Sequence, residues 1–229
     1  MTKPRGAVTM RTSSEAEARS MALTMVHLLV ADLLAQSHPE YLDCPEYYYG
    51  AISPDAIHVR DGGDKSHKDE IHLYNWNTPR PQNVLAYWQT RASAFDIGYG
   101  IHVLTDGQWV PRYKQRLPGL MREDGFLNTD IYYVDTFVTD FRLLSQRPRL
   151  EELLQIIARA ETPEDHPLLM GYMFSRWRET LLEAYQRPCP KSGEVRFIDE
   201  AYVDAFVEDS QALLDETYAA FQDLMKQRP

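Results

Sequence analysis

The chain has 229 residues, 44% hydrophobic and 25% charged, with 34 acidic against 24 basic residues and a net charge of −10. That length suits one domain with enough chain to bury a core, and the acidic balance argues against a protein that grips nucleic acid by neutralising phosphates. The two cysteines, Cys44 and Cys189, form no CxxC pair, which disfavours zinc-ribbon and thioredoxin readings and suits reduced, intracellular thiols.

Residues 1–12 read as a disordered leader, charged and without the apolar run and small-residue cleavage site of a signal peptide. Residues 13–229 read as one all-helical domain. Ser14 and Glu17 have the spacing of a capping box, and a helix is predicted from there to about residue 36. Its apolar stripe is Leu23, Val26, Val30, Leu33 and Leu34, and His27 falls on the stripe and points inward. The stretch "MALTMVHLLVADLLA" is too short to span a bilayer and is broken by His27 and Asp32. A soluble, cytoplasmic protein is the expectation.

A short helix is predicted over 45–52. Ser53-Pro54 then punctuates the chain, with Asp55 just after the breaker. Residues 59–81, "VRDGGDKSHKDEIHLYNWNTPRP", are polar and rich in Gly and Pro, and loops this long inside compact domains are usually functional or disordered. The next helix is predicted from 81 to about 110. Others are predicted from 128 or 129 to 144, over 148–160, over 167–186 and over 198–226. No stretch alternates like a strand, so the fold class is all-α, a multi-helix bundle.

Within "GYGIHVLTD", His102 and Asp106 are one turn apart and share a helix face. Gly98 and Gly100 cost roughly 1 kcal/mol each in a helix interior, which makes sense if another backbone approaches closely. Taken singly, His27 reads as a core histidine, His67 as a solvated loop residue and Asp55 as a turn cap. Taken together they are a mixture of imidazoles and carboxylates that a metal ion accepts, and a buried carboxylate is costly unless paired or metal-bound.

The segments "VHLLVADLL", "YYYGAISPDAIHVR", "KSH" and "GYGIHVLTD" resemble, in that order over residues 24–110, the zinc-dependent phospholipase C family, above all its small bacterial hydrolase-like members. The resemblance implies an all-helical fold with a zinc cluster in a cleft and hydrolysis of phosphoesters. Carried over, Asp55, His67, His102 and Asp106 match the ligands of one zinc, and Asp106 bridges to another that takes His27. This chain departs from the family by lacking the N-terminal tryptophan ligand and the later HxxxE pair. After Asp106 its histidines reduce to His166, in "ETPEDHP". One well-formed metal site is therefore expected, with a partial second.

"DIYYVDTFVTDF" falls where the HxxxE helix would be, and Asp135 is the candidate there for an extra ligand or general base. Asp55 is the candidate to orient a metal-bound water or take its proton. Arg60 and Lys65 flank the ligands and are candidates for phosphate contact, against a plain surface-charge reading. His58, three residues after Asp55, is a candidate substrate contact, and His72 with Tyr74 and Trp76 a candidate cleft mouth. The expected function is thus a metal-dependent hydrolase acting through a metal-activated water on a phosphoester, a phosphodiester or a phospholipid-like one, with zinc as the metal and iron or manganese as alternatives. The alternative is a non-catalytic intracellular metal-binding or interaction protein on the same fold.

Overall fold

The computed structural model describes residues 23–60 and 67–227. The predicted leader, the Ser14–Glu17 box and Lys65 lie outside the described residues. Those residues form nine α-helices: α1 (Thr24–Ser37), α2 (Pro45–Ile52), α3 (Lys68–Ile71), α4 (Arg80–Thr90), α5 (Ala94–Arg116), α6 (Thr129–Gln146), α7 (Pro148–Ala158), α8 (Gly171–Tyr185) and α9 (Glu200–Lys226). A 3-10 helix, Ser53–Val59, continues α2. Among the described residues no strand forms beyond an isolated bridge between Met121 and Leu127, and no helix is long and apolar enough to cross a membrane. The all-α expectation holds.

The predicted helix over 81–110 is in fact two. Arg91 turns extended, and Ser93 and Asp96 form a reciprocal capping box that starts α5 afresh. At its other end α5 runs through Pro111 to Arg116. An interior proline costs ~3 kcal/mol, but Trp109 and Tyr113 on either side of it are fully buried, and that packing outweighs the loss.

α5 is the central element, and α2 crosses it closely. A Cβ on Gly98 would strike the Tyr47 carbonyl, and one on Gly50 would strike the Phe95 carbonyl. The two glycines therefore let backbone meet backbone, the close approach expected for Gly98. Gly100 instead accommodates the ring of Trp88, whose Nε1 donates to the Asp96 carbonyl at 2.9 Å. α9 closes the other side, with Phe206 edge-on to Trp109 and Phe221 edge-on to Trp88. α1 lies against α2, α5 and α9, with Met25, Leu28 and Val30 fully buried.

Candidate metal centre

Four elements deliver side chains to one buried point. α1 supplies His27, the 3-10 helix supplies Asp55, the residue after α3 is His72, and α5 supplies His102 and Asp106. The donor atoms of His27, Asp55 and His102 lie within 4.8 Å of one another, as do those of His72, His102 and Asp106.

The spacing of these atoms is informative. His102 Nε2 lies 3.3 Å from Asp106 Oδ2, His27 Nε2 3.6 Å from Asp106 Oδ1, His72 Nε2 3.7 Å from Asp106 Oδ2, and His72 Nε2 3.6 Å from Asp55 Oδ1. These distances exceed the ordinary hydrogen-bond range. His27 Nε2, His72 Nε2, His102 Nε2, Asp55 Oδ1 and both oxygens of Asp106 are buried with no hydrogen-bond partner. Two donors each about 2.0–2.2 Å from an ion at tetrahedral angles stand roughly 3.3–3.6 Å apart. The donors are thus spaced as ligands of one ion would be.

Backbone contacts fix which ring nitrogens face inward. His102 Nδ1 is 2.8 Å from the Ala51 carbonyl, and His72 Nδ1 is 3.0 Å from the Lys68 carbonyl. A carbonyl only accepts, so each Nδ1 carries the proton and each Nε2 turns a lone pair toward the cluster. The glycine-lined crossing of α2 and α5 brings Ala51 within reach of His102. Tyr99 on α5 donates its hydroxyl to the Ile71 carbonyl at 2.6 Å and so anchors the segment that carries His72. Leu73, next in the chain, adopts a left-handed φ of 50°, a strained conformation of the sort that gathers at functional sites.

The electrostatics give ionised carboxylates, lower His27 and His72, and raise His102. Burial opposes ionisation of Asp106, but His102, then His27 and His72, hold its carboxyl down to about 2. Burial is likewise overcome at Asp55, where His58 and His72 hold the carboxyl well below the usual range. Burial, reinforced by His102, lowers His27 to about 4, and burial lowers His72. At His102 burial works the other way from the Asp106 carboxylate, which prevails and raises it. Buried groups in this state can hold a metal ion.

Three sequence expectations need correcting or placing. His67 is not in the cluster: its ring is 55% exposed and pairs with Glu70 at 3.1 Å. His72 stands where His67 was expected. The signal lay in the neighbours, since His72 is flanked by apolar Ile71 and Leu73 while His67 sits between Ser66 and Lys68. Asp135 is not available for catalysis. It is fully buried and accepts from three backbone amides, Arg196, Phe197 and Ile198, at 3.0, 2.7 and 3.0 Å, so it clamps the segment before α9 to α6. Arg60 lies beyond the 3-10 helix and lines a cavity of about 210 Å³ together with His67, Glu70 and Met173.

His27, Asp55, His102 and Asp106 are brought together as expected. His58 approaches from the outside, with Nε2 3.5 Å from Asp55 Oδ1 and its ring beside Trp177. Asp55 is 15% exposed and His58 33%, so this edge of the cluster faces solvent. His27 stacks flat on His102, ring centres 3.7 Å apart. No protein-family model, curated protein or solved structure matches the chain.

Proposed function

We propose that this chain is a metal-dependent phosphoester hydrolase of the zinc-dependent phospholipase C type, with zinc held by His72, His102 and Asp106 and by Asp55 or His27. The observation that carries the reading is the set of buried, unpartnered donors at ligand spacing. Zinc suits the mixture of imidazole and carboxylate. Both triads share His102, whose Nδ1 is committed to Ala51, so the cluster offers one ion at least three protein ligands.

An ion bound there supplies a water of lowered pKa and a Lewis acid for a phosphoryl oxygen. The chain's own residues do the rest. His102 and His72 are oriented by the Ala51 and Lys68 carbonyls. Asp55, ionised and at the solvent-facing edge, orients the attacking water. His58, 3.5 Å from Asp55, passes the proton out to solvent. A second reading, a metal-binding protein without catalysis, is favoured by the near-complete burial of His27, His72, His102 and Asp106, since closed sites are structural ones.

The test is elemental analysis of protein purified without chelators, followed by turnover of bis(p-nitrophenyl) phosphate. The wild type and His67→Ala should carry close to one equivalent of zinc, while His72→Ala and His102→Ala should lose it. Turnover that falls with the metal supports the hydrolase. Metal without turnover supports the second reading, and a wild type that takes up no metal on reconstitution overturns both.

A further inference from the structure

Arg80 is the first residue of α4, which lies antiparallel along α5: Trp88 packs on Gly100 and Arg80 on Gly107. A Cβ at Gly107 would occupy the place taken by the Arg80 stem. The guanidinium sits over the ring of Tyr74, 4.9 Å from its centre. Its Nη1 is buried and has no hydrogen-bond partner. Other arginines here, such as Arg91, Arg147 and Arg149, each reach an aspartate. Among the described residues no aspartate or glutamate pairs with Arg80.

Its surroundings come from the same segments as the metal ligands. Gly107 follows Asp106, and Tyr74 lies two residues past His72. The turn between Leu73 and α4 is held shut by Asn83, whose Nδ2 donates to the Leu73 carbonyl at 3.0 Å and to the Thr78 carbonyl at 3.4 Å. The unpartnered Nη1–H of Arg80 is a donor, and what satisfies a donor is an acceptor. A planar guanidinium with a desolvated N–H matches an oxyanion of phosphate geometry. Beside it Trp76, 72% exposed, packs edge-on to Tyr74 with ring centres 4.8 Å apart.

We infer that Arg80, backed by Tyr74, forms an anion subsite beside the metal centre that takes a phosphate-class oxyanion, with Trp76 presenting an aromatic surface to the group the phosphate carries. Anion binding at Arg80 stands on its own geometry. Its role as a substrate subsite rests on the hydrolase reading above.

The experiment is calorimetric titration of inorganic phosphate into chelator-treated and zinc-loaded protein. The variants are Arg80→Met, which keeps the stem on Gly107, Arg80→Lys, and Arg187→Met as a control at an exposed arginine two residues past α8. Metal-free wild type should bind phosphate, more weakly as salt rises. Arg80→Met should bind ~10-fold or more weakly, Arg80→Lys in between, and Arg187→Met like the wild type. Unchanged melting temperatures and zinc content would separate loss of the subsite from loss of the fold. The inference is overturned if metal-free wild type binds no phosphate, or if Arg80→Met binds as well as wild type. Because the metal-free arm needs no zinc, failure of the metal reading leaves this result readable.

Discussion

Asp140 and Asp135 sit five residues apart on α6, both fully buried, and differ in what receives their charge. Asp135 accepts three backbone amides. Asp140 accepts one, from Met25 at 3.0 Å, and the hydroxyl of Tyr185. At Asp140 burial outweighs those two bonds and raises the carboxyl from 3.8 to about 7. The folded chain therefore holds a proton that the unfolded chain releases between those two values. Asp140 favours folding below about pH 4, and that contribution is lost as pH rises through 7. Asparagine at this place cannot ionise and keeps an acceptor for the Met25 amide. In urea unfolding of the metal-free protein, Asp140→Asn should gain on the wild type by up to about 4 kcal/mol between pH 4 and pH 7. A difference that does not move with pH would mean Asp140 stays ionised in the fold. None of this was legible from "DIYYVDTFVTDF", where the aspartates differ only in position. What separates them is which distant backbone reaches each one, Arg196 to Ile198 in one case and Met25 in the other. His67 and His72 carried more information, because an apolar neighbour on each side marks a ring for burial, and proximity to the motif "SH" outweighed that mark.

At the scale of elements, the helices were readable where apolar spacing and caps agreed. The helix over 45–52 matches α2, and Asn128 and Asp199 cap α6 and α9 at 3.4 and 2.8 Å. The break between α4 and α5 was missed because the apolar stripe runs through it, while the signal, Ser93 three residues before Asp96, is short. Gly98 was readable as a close-approach site, but its partner was not, since Gly50 lies 48 positions away and only the folded chain brings the Tyr47 carbonyl against it. Two opposing effects meet at Gly98. Alanine is favoured over glycine in a helix by roughly 1 kcal/mol, and overpacking a tight contact costs about 1–3 kcal/mol. Backbone yields less than side chain, so the clash should win. Gly98→Ala should lower stability by about 1–2 kcal/mol net and weaken metal binding as Ala51 moves off His102. Urea midpoints beside zinc titration would check both, and a variant more stable than wild type would show that the crossing has room to spare.

At the scale of the molecule, the candidate centre ties together four parts of the chain that are far apart in sequence. His27 comes from α1, Asp55 from the 3-10 helix, His72 from the end of the one-turn α3, and His102 and Asp106 from α5. Without an ion, their donors are buried with nothing to satisfy them, and such groups oppose folding. With one, the same donors become ties between four elements. The segment around α3 depends on this most, because its helix has only four residues and its other ties are the Tyr99–Ile71 and Asn83–Leu73 hydrogen bonds and the buried Ile71. An ion present at 100 times its dissociation constant adds about 2.7 kcal/mol, and for a chain this size each kcal/mol moves the melting temperature by about 2–4 °C. Stripping the metal with a chelator should therefore lower the melting temperature by roughly 5–10 °C, and zinc should restore it. Hydrogen exchange should show the loss first at residues 67–74 and last along α5. Acid should act like the chelator, since protons compete for the imidazoles. His27, held near 4 by burial and by His102, resists protonation below pH 6, whereas His102, raised by Asp106, takes a proton earlier and makes release begin at the ligand both triads share. A melting temperature indifferent to both chelator and zinc would mean the fold carries these donors unaided, and the five side chains would then be a polar core rather than a metal centre.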